Sequence, residues 1–435
     1  MKKIISLITV TLLSLYVFAS NTSLNGSLPD ILLLPQDANF YVNSTEPLQS
    51  KVAQAQDIQN YFSQLYSVWN EQYSDFNLST LNSWYDYFIK SPGVGENLSP
   101  ISPSIFKKIK NSTESGSFGQ LMLPAMVINT SNLRLAPTVI PSYGDATSTP
   151  FDHLQCTVIY YGTPIMIIGE TKDKSWYFVE SGMQADGWIP ASDIAFVSKE
   201  QAAKLENWNK YMTFSRDDVP IYGQNNTVVA QGKIGMVMPL ISENGKYNVL
   251  GYGKDNATGN LELLPLKINC TDGHNFPYIM SEANVAYFIN QMLGKSYGWG
   301  GSFGFRDCSL TQKDLMSQFG IFLNRNSGNL LSCGQVISLT DLTNEQKLKV
   351  ISLEGIPFRT LLIMNGHVML YIGQYNEKAI MFHQYWGGQV LTSSGKINYK
   401  EKQAEITFVN LGVQDPATDR STILTALNAM VVLGN

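Results

Sequence analysis

Between Thr157 and Leu250 the chain is a succession of short β-type runs, each soon followed by turn residues. Thr157–Tyr161, Ile165–Ile168, Trp176–Val179 and Gly187-Trp188-Ile189-Pro190 form one set. Met212–Phe214, Val219–Tyr222, Met236–Ile241 and Tyr247–Leu250 form a second. Such spacing predicts small barrels. Pattern alone allows two barrels or one larger β domain. Lys199 to Lys210 reads as a helix between the sets.

The texture on either side differs. Residues 20 to about 50 are rich in Ser, Asn and Pro and read as an extended lead segment. From Asp57 to Phe76 the residues Ile58, Phe62, Leu65, Trp69 and Tyr73 recur every three or four positions, the spacing of an amphipathic helix. A second helix is predicted over Ser79 to Ile89, ended by Ser91-Pro92-Gly93, and a third, shorter one over Ser104 to Lys110. Their aromatic stripes read as core. Past Leu264-Pro265-Leu266 another region begins, with a helix predicted from Ser281 to Leu293. The fold class is therefore multidomain α+β. A length of 435 residues predicts two to four domains. A hydrophobic fraction of 44% with 15% charged residues excludes wholesale disorder.

The chemistry concentrates downstream. The aromatic glycine loop Tyr297-Gly298-Trp299-Gly300-Gly301 runs into Arg306-Asp307-Cys308-Ser309. Beyond Cys308, Leu315, Met316, Phe319, Phe322 and Leu323 recur at helical spacing, which puts Cys308 on the first turn of a helix. The backbone N–H groups exposed there favour negative charge, so the expectation is an acidified thiol, at about 3.5–7.5 instead of about 8.5. A cysteine alone is more often core than catalytic. Two of the four histidines change the balance. His367 opens the apolar run Val368–Gly373, and His383 sits in Ala379–Gly387 after the turn Gly373-Gln374-Tyr375-Asn376. Both segments read as strands. A cysteine on a helix with histidines on two neighbouring strands fits a nucleophile, a base and an orienting group. His153 and His274 lie outside these motifs; Asp152 and His153 read as turn residues of the first barrel.

These segments, with Gly366-His367-Val368-Met369-Leu370-Tyr371-Ile372-Gly373, resemble the NlpC-type cell-wall cysteine peptidases. Gly95-Glu96-Asn97-Leu98-Ser99-Pro100, Arg134-Leu135-Ala136-Pro137-Thr138, Phe151-Asp152-His153-Leu154-Gln155 and Gly162-Thr163-Pro164 resemble landmarks of one subgroup. That subgroup carries a helical N-terminal clip and two bacterial SH3-like barrels ahead of a papain-like peptidase domain. The resemblance implies a division into a signal peptide (1–19), a clip (20–115), a first barrel (116–198), a second barrel (199–267) and a peptidase domain (268–435). It implies Cys308, His367 and His383 as the catalytic group, and Asp307, Ser309, Trp299 and Tyr297 as substrate contacts. By resemblance Asp307 meets a free N-terminal ammonium, Ser309 meets the D-glutamate carboxylate, and Trp299 walls the groove. Tyr160, Tyr161 and Trp176 are candidate barrel contacts, and Arg306 reads as structural. The implied partner is a peptidoglycan stem peptide or muropeptide with a free L-Ala, cut between γ-D-glutamate and diaminopimelate or Lys. Two alternatives stay open: a non-catalytic wall-binding protein, and an amidase or acyltransferase on the same fold. One departure is Leu310, where many relatives carry a small residue.

The remaining features bound the setting. Met1-Lys2-Lys3, the apolar run Ile4 to Phe18 and Ala19 read as a secretory signal peptide cut after Ala19. The run is short for a membrane span, and no cysteine beside it offers a lipid anchor. The expectation is a monomer exported to the periplasm, the cell wall or beyond, with no membrane span after cleavage. With a formal charge of −5 and no basic block, nothing predicts nucleic-acid binding. No cofactor is implied. The four cysteines (Cys156, Cys270, Cys308, Cys333) contain no Cys-x-x-Cys, so neither a zinc site nor a disulfide framework is predicted. Cys156 reads as buried rather than bonded.

Overall fold

A computed structural model describes residues 29–71, 74–392, 395–399, 401–411 and 422–434. The expected signal peptide and Tyr73 lie outside the described residues. The fold is a helical N-terminal region, SH3-like β-sheets and a mixed C-terminal domain. The chain divides into two compact units. One runs from Gln59 to Pro277 and takes in Gly298–Gly304. The other combines residues up to Ile58 with Tyr278–Tyr297 and Phe305–Asn435.

The first unit holds two antiparallel seven-stranded sheets. The expected runs appear as Gln155–Ile159, Pro164–Glu170, Trp176–Ser181 and Gly187–Pro190 in one sheet. Leu123–Val127, Ser131–Arg134 and Ile194–Phe196 complete it. The other sheet adds Val228–Gly232, Leu261–Asn269 and Gly273–Asn275 to the runs expected there. Leu261–Asn269 pairs residue for residue with Lys246–Lys254, so Leu264-Pro265-Leu266 lies within a strand. The helix between the sheets, Lys199–Glu206, starts with a capping box in which Ser198 and Gln201 satisfy each other's backbone N–H. The helices Leu78–Lys90 and Pro103–Ser112 bury Trp84, Tyr85, Phe88 and Phe106. Trp69 docks on the first sheet, where its indole N–H donates to the carbonyls of Ala125 at 3.2 Å and Ile165 at 3.1 Å.

The second unit is built on an antiparallel six-stranded sheet. Its order is Gly334–Ser338, Leu427–Leu433, Thr360–Met364, His367–Tyr375, Lys378–Tyr385, Gln403–Phe408. The helix Cys308–Ser317 packs on the strands that begin at His367 and Lys378, and Glu282–Met292 packs beside it. The Cys308 helix is shorter than its apolar recurrence predicts. Phe319 and Leu323 are buried beyond its end. Gly320 takes φ +80°, and a side chain there would meet Ile58 at 2.9 Å, so the chain turns where only glycine fits.

Lead residues 29–50 lie along this unit. Asp30, fully buried, accepts the N–H of Phe408 at 3.0 Å. The side-chain amide of Gln36 donates to the carbonyl of Ile406 at 2.8 Å and accepts its N–H at 2.9 Å. These groups satisfy an edge strand that would otherwise offer open backbone groups to another chain. Glu282 accepts the N–H groups of Asn43 and Ser44, at 2.6 and 3.0 Å.

Candidate functional site

Asp307 is the N-cap of the Cys308 helix, and its Oδ1 accepts the N–H of Leu310 at 2.9 Å. Cys308 is therefore the first helical residue, as its spacing predicts. The thiol is buried, 8% exposed. The N–H groups of Val368 and Ser309 point at the sulfur and favour its ionisation. Burial comes first in the opposite direction, and the Asp307 carboxylate adds to it; together they push the thiol up to about 12. The expected acidification is thus reversed in the free protein, because desolvation and a neighbouring anion outweigh the helix terminus.

His367 begins its strand beside Val368, and His383 lies on the adjacent strand. Nε2 of His367 is 3.0 Å from Nδ1 of His383. Burial lowers His367 to about 4, against the opposing pull of Asp307. His383 is fully buried and is held well below the ordinary histidine value by burial and by His367. Its ring stacks on Tyr385 at 4.7 Å. Beyond it stand Thr407, with Oγ1 3.2 Å from Nε2, and Glu405, with Oε1 3.7 Å from the same nitrogen. These shifts favour the neutral forms of the thiol and of both imidazoles.

Asp307 and Ser309 flank the sulfur and share a buried arginine. Nη2 of Arg325 is 2.5 Å from Oδ2 of Asp307, and Nη1 donates to Oγ of Ser309 at 2.7 Å. Arg306, which the sequence marks as structural, pairs with Asp314 at 2.6 Å, both side chains buried. The Tyr297 ring packs 5.6 Å from Trp386, and its hydroxyl is held well above the usual phenol value by burial and by Cys308 and Asp307 beside it. One unit therefore brings together Tyr297, Asp307, Cys308, Ser309, His367 and His383. Trp299 belongs to the barrel unit. Its ring meets Phe151 edge-on at 5.2 Å, and the next residue, Gly300, accepts from the Gln155 amide at 3.1 Å.

In the barrels, Tyr161 donates its hydroxyl to the carbonyl of Tyr252 at 3.0 Å, so it ties the two sheets together. Asp152 pairs with Arg134 at 2.9 Å and accepts the N–H groups of Ser142 and Leu154, as befits a turn. None of the four cysteines forms a disulfide, and Cys156 is half-buried. Among the described residues no His, Cys, Asp and Glu cluster could hold a metal ion, and no helix is long and apolar enough to cross a membrane.

Sequence reading missed Arg325, Glu405 and Thr407. Arg325 follows an apolar run with no spacing that ties it to Asp307. Glu405 and Thr407 did leave a trace, two positions apart in a strand-like segment, and so on one face.

Residues 294–407 match the NlpC/P60 family, residues 6–118 the NLPC_P60 N-terminal stabilising domain, and residues 141–190 an SH3 domain of the SH3b1 type. The chain carries an NlpC/P60 family domain together with that family's N-terminal stabilising domain and an SH3 domain. NlpC/P60 is a family of cysteine peptidases acting on cell walls. The solved NlpC/P60 endopeptidase from Photobacterium damselae subsp. piscicida is similar over 95% of this chain and 99% of its own, at 25% identity and a TM-score of 0.80. An NlpC/P60 family protein from Bacillus cereus aligns over 70% of this chain and 98% of its own, at 16% identity and a TM-score of 0.48. No curated protein matches the chain significantly.

Proposed function

We propose that the protein is a cysteine endopeptidase that cuts peptidoglycan stem peptides between γ-D-glutamate and the following diamino acid, acting on stems with a free N-terminal L-Ala. The observation that carries this reading is the buried thiol of Cys308 beside Val368, in a family of cysteine peptidases, with the His367–His383 pair behind it. Nε2 of His367 is engaged with His383, which leaves Nδ1 for the thiol. The thiol proton moves to His367 as the sulfur attacks the γ-carbonyl carbon. The C–N bond then breaks, the leaving amine takes the proton from His367, and a thioester remains on Cys308. Water, deprotonated by His367, hydrolyses it. The N–H of Cys308 at the helix start is the oxyanion donor, with Tyr297 beside it.

Raised thiol and lowered imidazole values fit a resting state in which the proton passes from the sulfur to His367 as the sulfur attacks the substrate carbonyl. Asp307 and Ser309 serve as substrate contacts in this reading, Asp307 for the ammonium and Ser309 for the D-glutamate carboxylate, with Arg325 holding both in place. Trp299 is the further substrate contact that the family resemblance implies. The protein is exported, works as a monomer and needs no cofactor, and the division at residues 19, 115, 198 and 267 goes with the same reading.

The test is product analysis on L-Ala-γ-D-Glu-diaminopimelate. The protein is expected to release L-Ala-D-Glu and diaminopimelate, and Cys308→Ala to release neither. Binding without product would make this a wall-binding protein. Loss of L-Ala instead would make it an enzyme of different bond specificity.

A further inference from the structure

His383 and Glu405 face each other directly across neighbouring antiparallel strands. In that register two side chains on one face must meet. Glu405 is 1% exposed, and among the described residues the Gln403 side chain beside it gives its carboxyl no more than a hydrogen bond of poor geometry. A buried carboxyl left so is costly, and a leucine in its place would be cheaper. Nε2 of His383 lies 3.7 Å from Oε1 of Glu405. Thr407 lies 3.2 Å from that nitrogen, but a hydroxyl can give or accept a proton and does not choose the tautomer. The choice matters. With the His383 proton on Nδ1, His367 would have to accept at Nε2 and carry its own proton on Nδ1, where the thiol needs a lone pair. With the proton on Nε2, Nδ1 of His383 accepts from His367, and Nδ1 of His367 is a base.

We propose that Glu405 is a positioning residue for this pair: its carboxylate, opposite His383 in the register, favours the tautomer with the proton on Nε2 and supplies the counter-charge when the thiol proton passes to His367. This rests on the reading of Cys308 and His367 as nucleophile and base. No proton leaves the group: the S–H bond breaks, an N–H bond forms on His367, and the imidazolium pair lies between the thiolate and the carboxylate.

The groups facing Glu405 are His383 and Tyr385 from the adjacent strand, Asp30 from the lead segment, and Glu401 and Gln403 from its own. Burial, Glu401 and Asp30 all resist its ionisation, and Gln403 favours it. Activity should therefore fall with acid above the ordinary glutamate range, as Glu405 takes up a proton.

The experiment is the pH profile of kcat and kcat/KM on the stem tripeptide for the full chain, Glu405→Gln and Glu401→Gln, with thermal unfolding as the fold control. E405Q is expected to unfold no earlier than the wild type, to lose about tenfold or more in kcat with KM little changed, and to lack the acid limb. E401Q, relieved of one neighbouring anion, should keep the plateau and move the limb to lower pH. A folded E405Q with wild-type kcat and an unchanged limb overturns the proposal. Should E405Q fail to fold, E401Q decides: a shifted limb supports the proposal and an unmoved one overturns it. Turnover in Cys308→Ala would sink the parent reading instead.

Discussion

Replacing Arg325 with methionine leaves Asp307 as a buried carboxylate with its arginine gone. The pair is closed, at 2.5 Å with side chains 3% and 10% exposed, so solvent screens it little. Removing one partner of such a pair costs about 3–5 kcal/mol, mostly the cost of the stranded charge. In a unit of roughly 200 residues each kcal/mol moves the midpoint by about 2–4 °C, so R325M should melt about 6–20 °C earlier. Asp307→Asn in the same background removes the stranded charge and keeps a capping side chain for Leu310. The double variant should recover most of the lost stability. Denaturant unfolding of wild type, R325M, D307N and the double variant gives the coupling energy directly. Activity should not recover with stability, because the Asp307 carboxylate is gone and Ser309 has lost the group that orients it. A coupling under about 1 kcal/mol, or an R325M as stable as wild type, would refute the buried-pair argument.

Lys347 donates to the carbonyls of Thr425, Leu427 and Leu424, at 2.8, 2.7 and 3.3 Å, where the helix Thr422–Ala426 hands over to the last strand. Lys347→Met should cost about 2–4 kcal/mol in urea unfolding, since buried carbonyls lose their donor. The His367 imidazole, lowered to about 4, binds its proton less readily when folded than unfolded. Its share of stability is therefore intact above about pH 6.5 and is lost as pH falls from 6.5 towards 4. The loss is at most about 3 kcal/mol, an upper bound because the residue is half-buried. Comparing His367→Gln with wild type at pH 7 and pH 4.5 checks this: the wild type should lose more stability than the variant.

The elements that position the sulfur were legible because local chemistry sets them. The apolar recurrence beyond Cys308 sets that residue on a first helical turn, and His367 and His383 open or sit in runs whose turn residues separate them. The end of the Cys308 helix was not legible, because Gly320 stops it for the sake of a contact with Ile58, 262 positions earlier in the chain. Strand Leu261–Asn269 was hidden by Pro265 in its middle, and its pairing with Lys246–Lys254 is what makes it a strand. The sign of the thiol shift was misjudged for a related reason. A helix terminus is visible in sequence, whereas burial and the distance to a carboxylate are properties of the packed state. Arg325 and Glu405 were missed alike: each matters through a partner on a different element.

The central claim is that Cys308 becomes acylated by the stem peptide. Intact-protein mass spectrometry on samples quenched in acid during turnover tests it most directly. The account predicts a single adduct with the mass of L-Ala-γ-D-Glu less water, mapped to the peptide holding Cys308 and absent from Cys308→Ala. An adduct on another residue, or undiminished turnover by Cys308→Ala, would contradict it.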